Sequence, residues 1–299
     1  MAQACDPRAA VGLRLDAEAA AAAVPALLIA AERLAASVDP GAHGLRRAGA
    51  GEEFWQYRPA APGDPAGLID WRRSARSDAA FVRERERQSP QAAALWVAGD
   101  PGMAWTGDPA RPLKRDRARL LGLALALVLL RGGERVAVGA DDARAGRLRA
   151  EALARDLLTA APDPLPPPGT LRPQRRVVLL GDFLGDPAPL ARFLADAAAT
   201  GSRGVLMQVL DPTEESFPFA GALRFHAPGA GAPRHETGQN TGHETRNATA
   251  LRPAYLARLA ERRALLARLA AEAGWQFGTH DTAAPPAAAV LWLAEALSA

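Results

Sequence analysis

The stretch RVVLLGD, Arg176 to Asp182, has the grammar of a buried strand. Val177 to Leu180 are apolar without alternation, as a strand covered on both faces requires, and Gly181-Asp182 closes the run. Downstream, Pro187 to Thr200 reads as a helix stopped by Gly201, and Gly204 to Leu210 as a second strand ending at Asp211. Upstream, Ala92 to Val97 is a short apolar run ending in Gly99-Asp100, and Arg135 to Val138 is another, ending in Gly139-Ala140-Asp141. Between them Arg111 to Leu130 reads as a buried helix, and residues 144–160 read as an amphipathic one. Pro162 to Pro173 is a stiff connector that forms neither helix nor central strand. Pro212 to Asn247 reads as a long polar, turn-rich excursion. Leu251 to Ala273 is a helix with Pro253 near its first turn and Gly274 past its end; Trp275 to Phe277 is a last strand, ending near Asp281; Pro286 to Leu297 closes the chain as a helix.

Strands alternating with helices predict an α/β fold, a mostly parallel sheet with helices on both faces. Five strands end with an aspartate at or just past their carboxyl ends: Asp100, Asp141, Asp182, Asp211 and Asp281. Ligands of open α/β sheets bind outside those ends, and an acidic rim there offers oxygen ligands to a hard divalent cation. The plainer reading is that each Asp caps the helix that follows or closes a turn.

Composition narrows the function classes. The chain has 299 residues, 48% of them hydrophobic, and a net charge of only +3. Asp and Glu are interleaved with Arg throughout, whereas a nucleic-acid binder concentrates positive charge on one face, so no nucleic-acid partner is expected. Lys114 is the single lysine among 36 Lys and Arg residues. Cys5 is the only cysteine, which leaves no disulfide framework and fits a reducing, cytoplasmic setting. Ala19 to Ala31 is shorter than the roughly 20 apolar residues of a membrane span. Glu18 precedes it and Glu32 and Arg33 close it, so it reads as an amphipathic helix, bent or broken at Pro25, rather than a signal peptide. The apolar part of the 111–130 helix is likewise too short to span, and no transmembrane segment is expected.

The segment from Gly49 to Arg87, GAGEEFWQYRPAAPGDPAGLIDWRRSARSDAAFVRERER, surrounds Phe54, Trp55, Tyr57, Ile69, Trp71 and Phe81 with charges of both signs. Pro62-Gly63-Asp64 marks a turn. The mixture predicts buried aromatics, with Arg58, Arg72, Arg73 and Arg76 pairing with Asp64, Asp70 or Glu53, or with a partner. Two uses remain open: an internal salt-bridge network that fixes a β-extension, or a docking surface for another protein.

This segment carries a resemblance. Gly49, Gly51, Glu53 and Phe54, then Arg58, Pro62, Gly63 and Asp64, then Ile69, Asp70, Trp71, Ala75 and Arg76, then Val82, Arg83, Glu84 and Glu86 resemble, in order, the signature of the bacterial family called domain of unknown function 58. LLGDFL at Leu179 to Leu184, VLDPTEESFPFAG at Val209 to Gly221 and HDT at His280 to Thr282 are similar to its later landmarks. The resemblance implies a von Willebrand factor type A-like α/β domain over 91–299, a β-rich extension over 41–90 that carries the signature, and an N-terminal helical segment over 1–40. Such domains often hold a metal at Asp-x-Ser-x-Ser after the first strand. Here Pro101, Gly102, Met103 and Ala104 follow Asp100, so the hydroxyl ligands are missing, and Asp100 and Asp182 mark a degenerate site with no tight metal and no cofactor. The resemblance further implies a non-enzymatic interaction module, an adaptor or partner of a MoxR-type AAA+ ATPase that works with other proteins of the same operon on the assembly or maturation of another complex. Arg58, Asp64, Asp70, Trp71, Arg72 and Arg76 are then its structural or docking determinants. The alternative is a divalent-metal-dependent enzyme using the acidic rim.

Familiar catalytic patterns are missing from the sequence. It has no G-x-x-x-x-G-K-[ST] loop and no G-x-S-x-G elbow. His235-Glu236 and His243-Glu244 lack the H-E-x-x-H spacing of a zinc helix and read as polar loop. His43 and His226 are isolated.

Overall fold

The computed structural model describes residues 23–38, 46–49, 53–62, 64–75, 79–88, 92–139, 142–146, 149–159, 163–170, 172–226 and 242–298. The chain divides into two units, one of residues 42–91 and one of residues 1–41 with 92–299.

The larger unit is built on five strands: β4 (Ala92–Val97), β5 (Arg135–Val138), β6 (Arg176–Gly181), β7 (Arg203–Leu210) and β10 (Gln276–Asp281). They lie in the order β10-β7-β6-β4-β5, and every pairing is parallel. The unbroken apolar runs follow from burial on both faces. Leu95, Val97, Val178, Leu180, Val205, Met207 and Val209 join one core with a helix over residues 23–36 (α1), α3 (Lys114–Arg131), α4 (Ala150–Thr159) and α8 (Pro286–Ser298). The intervening Trp96, Val177, Leu179 and Leu206 face a second core with α5 (Pro187–Ala199) and α7 (Ala248–Glu272). Helix α3 is buried from Leu121 to Leu130 because the sheet, α4 and α8 all pack on it. A Cβ at Gly122 would lie 3.2 Å from Leu180 Cδ1, which shows how near α3 lies to β6. Among the described residues no helix is long and apolar enough to cross a membrane.

Several elements differ from their sequence reading. Helix α1 runs on through Pro25 and buries Val24, Ala31, Leu34 and Ala35. Helix α4 begins at Ala150 rather than 144, because Gly146 takes φ 112° and Arg144 bridges to Val136. Helix α7 starts three residues earlier than expected, since the Asn247 side chain accepts from Ala250 N, and Pro253 lies inside it. Strand β10 starts at Gln276, one residue after the expected Trp275, and runs to Asp281 as read, in register with β7. The excursion after Asp211 is partly ordered. Pro212–Ser216 is a short helix, α6, and Leu223–His226 (β8) pairs antiparallel with Gly242–Thr245 (β9). His243-Glu244 therefore lies on a strand, and His235-Glu236 lies outside the described residues. The Phe217 ring lies tilted against Tyr255 of α7 at 4.7 Å and stacks on Phe225 of β8 at 5.9 Å. That aromatic cluster is where the ribbon gains its burial.

The smaller unit is a three-stranded antiparallel sheet in the order β1-β3-β2, from β1 (Arg46–Gly49), β2 (Glu53–Pro59) and β3 (Phe81–Gln88). Between β2 and β3 the chain makes a 3-10 turn, Ala66–Leu68, and a one-turn helix, α2 (Trp71–Ser74).

Candidate functional site

Each unit gathers charge-bearing residues, and each gathering is built differently. In the larger unit the organising group is Lys114, at the start of α3. It is 1% exposed. Its Nζ donates to Asp182 Oδ2 at 2.8 Å, past the end of β6, and to Glu214 Oε1 at 2.6 Å, in α6. Burial disfavours the charged amine, but the two carboxylates outweigh it and raise the Lys114 pKa.

Glu214 is placed by a capping box. Its Oε2 accepts from Asp211 N at 3.0 Å, and the Asp211 side chain accepts from the first turn of α6. The Asp211 carboxylate also accepts from Arg111 Nε at 3.1 Å and Nη2 at 3.0 Å, from Thr282 Oγ1 at 3.2 Å and from Thr106 Oγ1 at 3.3 Å. Burial alone would raise its pKa; the donors, Arg111 foremost, hold it well below the usual carboxylate range. At Gly107 only glycine fits, since a Cβ there would lie 2.0 Å from Thr213 Oγ1.

The five aspartates therefore separate. Asp100 accepts from Gly102 N, Asp211 caps α6, and Asp281 accepts from Ala283 N at 2.6 Å, so the capping reading describes these three. Asp182 accepts from Leu184 N and is paired with Lys114. Asp141 lies outside the described residues. Asp182 and Asp211 are bonded to the chain's own cations, and a divalent ion between Asp182 and Glu214 would meet the Lys114 ammonium. Asp100 is different. Among the described residues it has no ion-pair partner, it is half-buried, and burial followed by the Asp182 charge raises its pKa.

Asp100 and Asp182 also line a cavity of about 270 Å³ at the carboxyl ends of β4 and β6, walled by Leu165, Phe183, Pro187 and Leu190. The chain leaves β4 for β5 on one side and returns to β6 on the other, so this is the point where the strand order reverses. Phe183, on the cavity wall, takes φ 49°.

In the smaller unit Arg58 grips Asp64 with two parallel bonds of 2.7 Å, and Ala61 N donates to the same carboxylate at 2.7 Å. The Arg58 hydrogen bonds, more than any other contact, hold the Asp64 pKa at about 2. Asp70 caps α2 by accepting from Arg73 N at 3.0 Å, and it accepts from Tyr57 Oη at 3.0 Å. The Arg73 guanidinium lies 4.3 Å from the Tyr57 ring centre. Trp71 does not follow the expectation of buried aromatics: it is 63% exposed, and Arg72 beside it is exposed. The reason is local. The α2 cap fixes a single turn, which puts Ser74 against Phe81 N and leaves Trp71 on the outer side. Arg76 lies outside the described residues.

The sequence reading missed Lys114, Arg111 and Glu214. Two signals pointed to them: a single lysine retained in a chain that otherwise uses arginine, and the Asp-x-x-Glu capping pattern at 211–214.

A family model described as "Protein of unknown function DUF58" matches residues 56–265. No curated protein matches the chain. Among solved structures, the chain is similar to the conserved hypothetical protein BatB from Bacteroides thetaiotaomicron, at 13% identity and a TM-score of 0.37, over 69% of this chain and 98% of that one. It is also similar to an uncharacterized membrane spanning protein from Vibrio fischeri, at 13% identity and a TM-score of 0.17, over 71% of this chain and 99% of that one.

Proposed function

We propose that this chain, which belongs to the DUF58 family of proteins of unknown function, is a non-enzymatic protein-interaction module. The observation that carries the reading is the Trp71-Arg72 pair. Both side chains are exposed on a helical turn whose anchoring groups, Asp70 and Ser74, are bonded within the unit. Exposed Trp and Arg held on a fixed turn are the residue types that anchor protein interfaces. Arg58, Asp64 and Asp70 are then the frame, and Trp71 and Arg72 the contact surface.

The resemblance in the signature segment supplies the finer reading. The larger unit is a von Willebrand factor type A-like domain, the smaller one is its β-rich extension, and the chain works in the cytoplasm as adaptor or partner of a MoxR-type AAA+ ATPase. The test is affinity capture from the native cells with ATP and with a non-hydrolysable analogue. Recovery of one AAA+ ATPase, lost on Trp71→Ala with Arg72→Glu in a folded protein, is the expected result. Unchanged capture by that folded variant would sink the docking reading.

A second reading, a divalent-metal-dependent enzyme, has one observation in its favour: Asp100 lacks an ion pair among the described residues. It requires a thermal shift with Mg²⁺ or Mn²⁺ that disappears in Asp100→Ala.

A further inference from the structure

The cavity at the carboxyl ends of β4 and β6 combines a size, a wall and a charge. At about 270 Å³ it falls below the roughly 300–1,000 Å³ of typical small-molecule sites and is of a size to take one long side chain. Its walls are Leu165, Phe183 and Leu190 together with Pro164, Pro187 and Pro189. Proline-braced walls are already shaped, so little ordering cost falls on binding. Its polar groups are acidic: Asp100, Asp182 and, at the N-terminus of α5, Asp186. Behind Asp182 stands Glu214, and among the described residues the one cation within these carboxylates is Lys114, bonded to Asp182 and Glu214. The cluster thus keeps an excess of negative charge; among the described residues Asp100 and the exposed Asp186 are its members without an ion pair, and of the two Asp100 is the half-buried one, with Lys114 acting on it only at a distance. Phosphates or carboxylates entering here would be repelled.

We propose that this cavity receives the side chain of an arginine or lysine from a partner polypeptide, with the aliphatic stem along Leu165, Phe183 and Leu190 and the cationic head on Asp100. The inference rests on the reading of the chain as an interaction module, and it adds to Trp71 and Arg72 a second site with its own chemistry. A long basic side chain matches both halves of the cavity, because its stem buries against apolar surface while its head keeps a charged partner. Burial and the Asp182 charge disfavour the ionised form of Asp100, a penalty that a cationic head placed beside it would relieve.

The experiment is a titration of the ¹⁵N-labelled full chain with N-acetyl-arginine methylamide, followed through the amide shifts of Ala98, Gly99, Phe183 and Leu184. N-acetyl-citrulline methylamide, of the same shape without the charge, is the comparison. The expected result is a saturable shift at these amides, with the arginine probe binding at least about tenfold more tightly than the citrulline probe. Asp100→Asn keeps the turn, because Asn also accepts from Gly102 N, and should bring the two probes to within about twofold. Asp186→Asn should reduce the preference less, since that carboxylate is exposed. Equal binding of the two probes to the native chain overturns the proposal without recourse to any variant. So does an arginine preference that survives Asp100→Asn, or Mg²⁺ that displaces the arginine probe from the same amides. Capture through Trp71 and Arg72 reads out separately. If Asp100→Asn leaves partner capture intact and the probes do not discriminate, the cavity inference falls and the interaction module stands.

Discussion

The two charge networks of this protein each set a basic side chain against carboxylates and do different work. Around Arg58 and Asp64 the partners are six residues apart, the pair is partly open to water, and the fork holds one turn of a small sheet. Around Lys114 the partners are 68 and 100 residues away, and the ammonium is shut off from solvent. A local, accessible pair adds modestly to stability, because water already solvates both groups. A buried pair is different. Once its charges are desolvated, removing one partner strands the other, which is a far larger penalty than the pair's net contribution. The comparison teaches that the Arg58–Asp64 turn should tolerate change, whereas the carboxyl-end network is a lock on the fold.

The largest test of that contrast is Lys114→Met, which leaves Asp182 and Glu214 facing each other without a cation. The expected loss is about 3–5 kcal/mol in urea unfolding. A loss no greater than that of Arg58→Ala would erase the distinction between the two regions.

Next in size is acid sensitivity in the larger unit. His280 is buried on β10, its Nε2 has no hydrogen-bond partner among the described residues, and burial, aided by the Arg117 charge, lowers its pKa to about 4. The unfolded chain takes up this proton near pH 6.5 and the folded one only near 4. Stability therefore falls as pH drops through that window, by up to about 3 kcal/mol. His280→Gln should flatten the pH dependence of unfolding between 6.5 and 4. An unchanged slope would show that other groups carry it.

In the smaller unit the sign is the same and the window lower. Asp64 is held at about 2 against an ordinary 3.8, so the stability it contributes is present above that ordinary value and is lost as pH falls toward 2. Arg58→Ala should return the Asp64 pKa toward 3.8, read by carboxyl ¹³C shifts, with a stability loss well below that of Lys114→Met. An Asp64 pKa still near 2 in that variant would show that the Ala61 N–H, not the guanidinium, holds it.

The smallest expected effect on stability is at Trp71. Trp71→Ala removes an exposed indole and should change folding free energy by less than about 0.5 kcal/mol, while abolishing partner capture. A large destabilisation would move Trp71 from the contact surface to the frame.

The sequence was most informative where structure is local. The unbroken apolar runs of β4, β6 and β7 declare strands buried on both faces, and Asp100, Asp211 and Asp281 behave as the short-range caps and turn formers their chemistry favours. The Arg58–Asp64 fork was legible because a turn six residues long brings the partners together whatever the rest of the chain does. The segment after Asp211 reads as a polar, turn-rich excursion yet is ordered in part; its polarity hid a capping box and a ribbon. The ribbon gains its burial from Phe217, Phe225 and Tyr255, residues spread across 39 positions.

By itself, then, the sequence determined the alternation of strands and helices, the caps at the strand ends and the fork of the small sheet, since each depends on neighbours within a few residues. Only the tertiary structure decided which aspartates meet a cation. Parallel strands bring distant carboxyl ends side by side, and that placement put Lys114 on Asp182 and Glu214, Arg111 on Asp211, and left Asp100 lining a largely apolar cavity with no ion pair among the described residues.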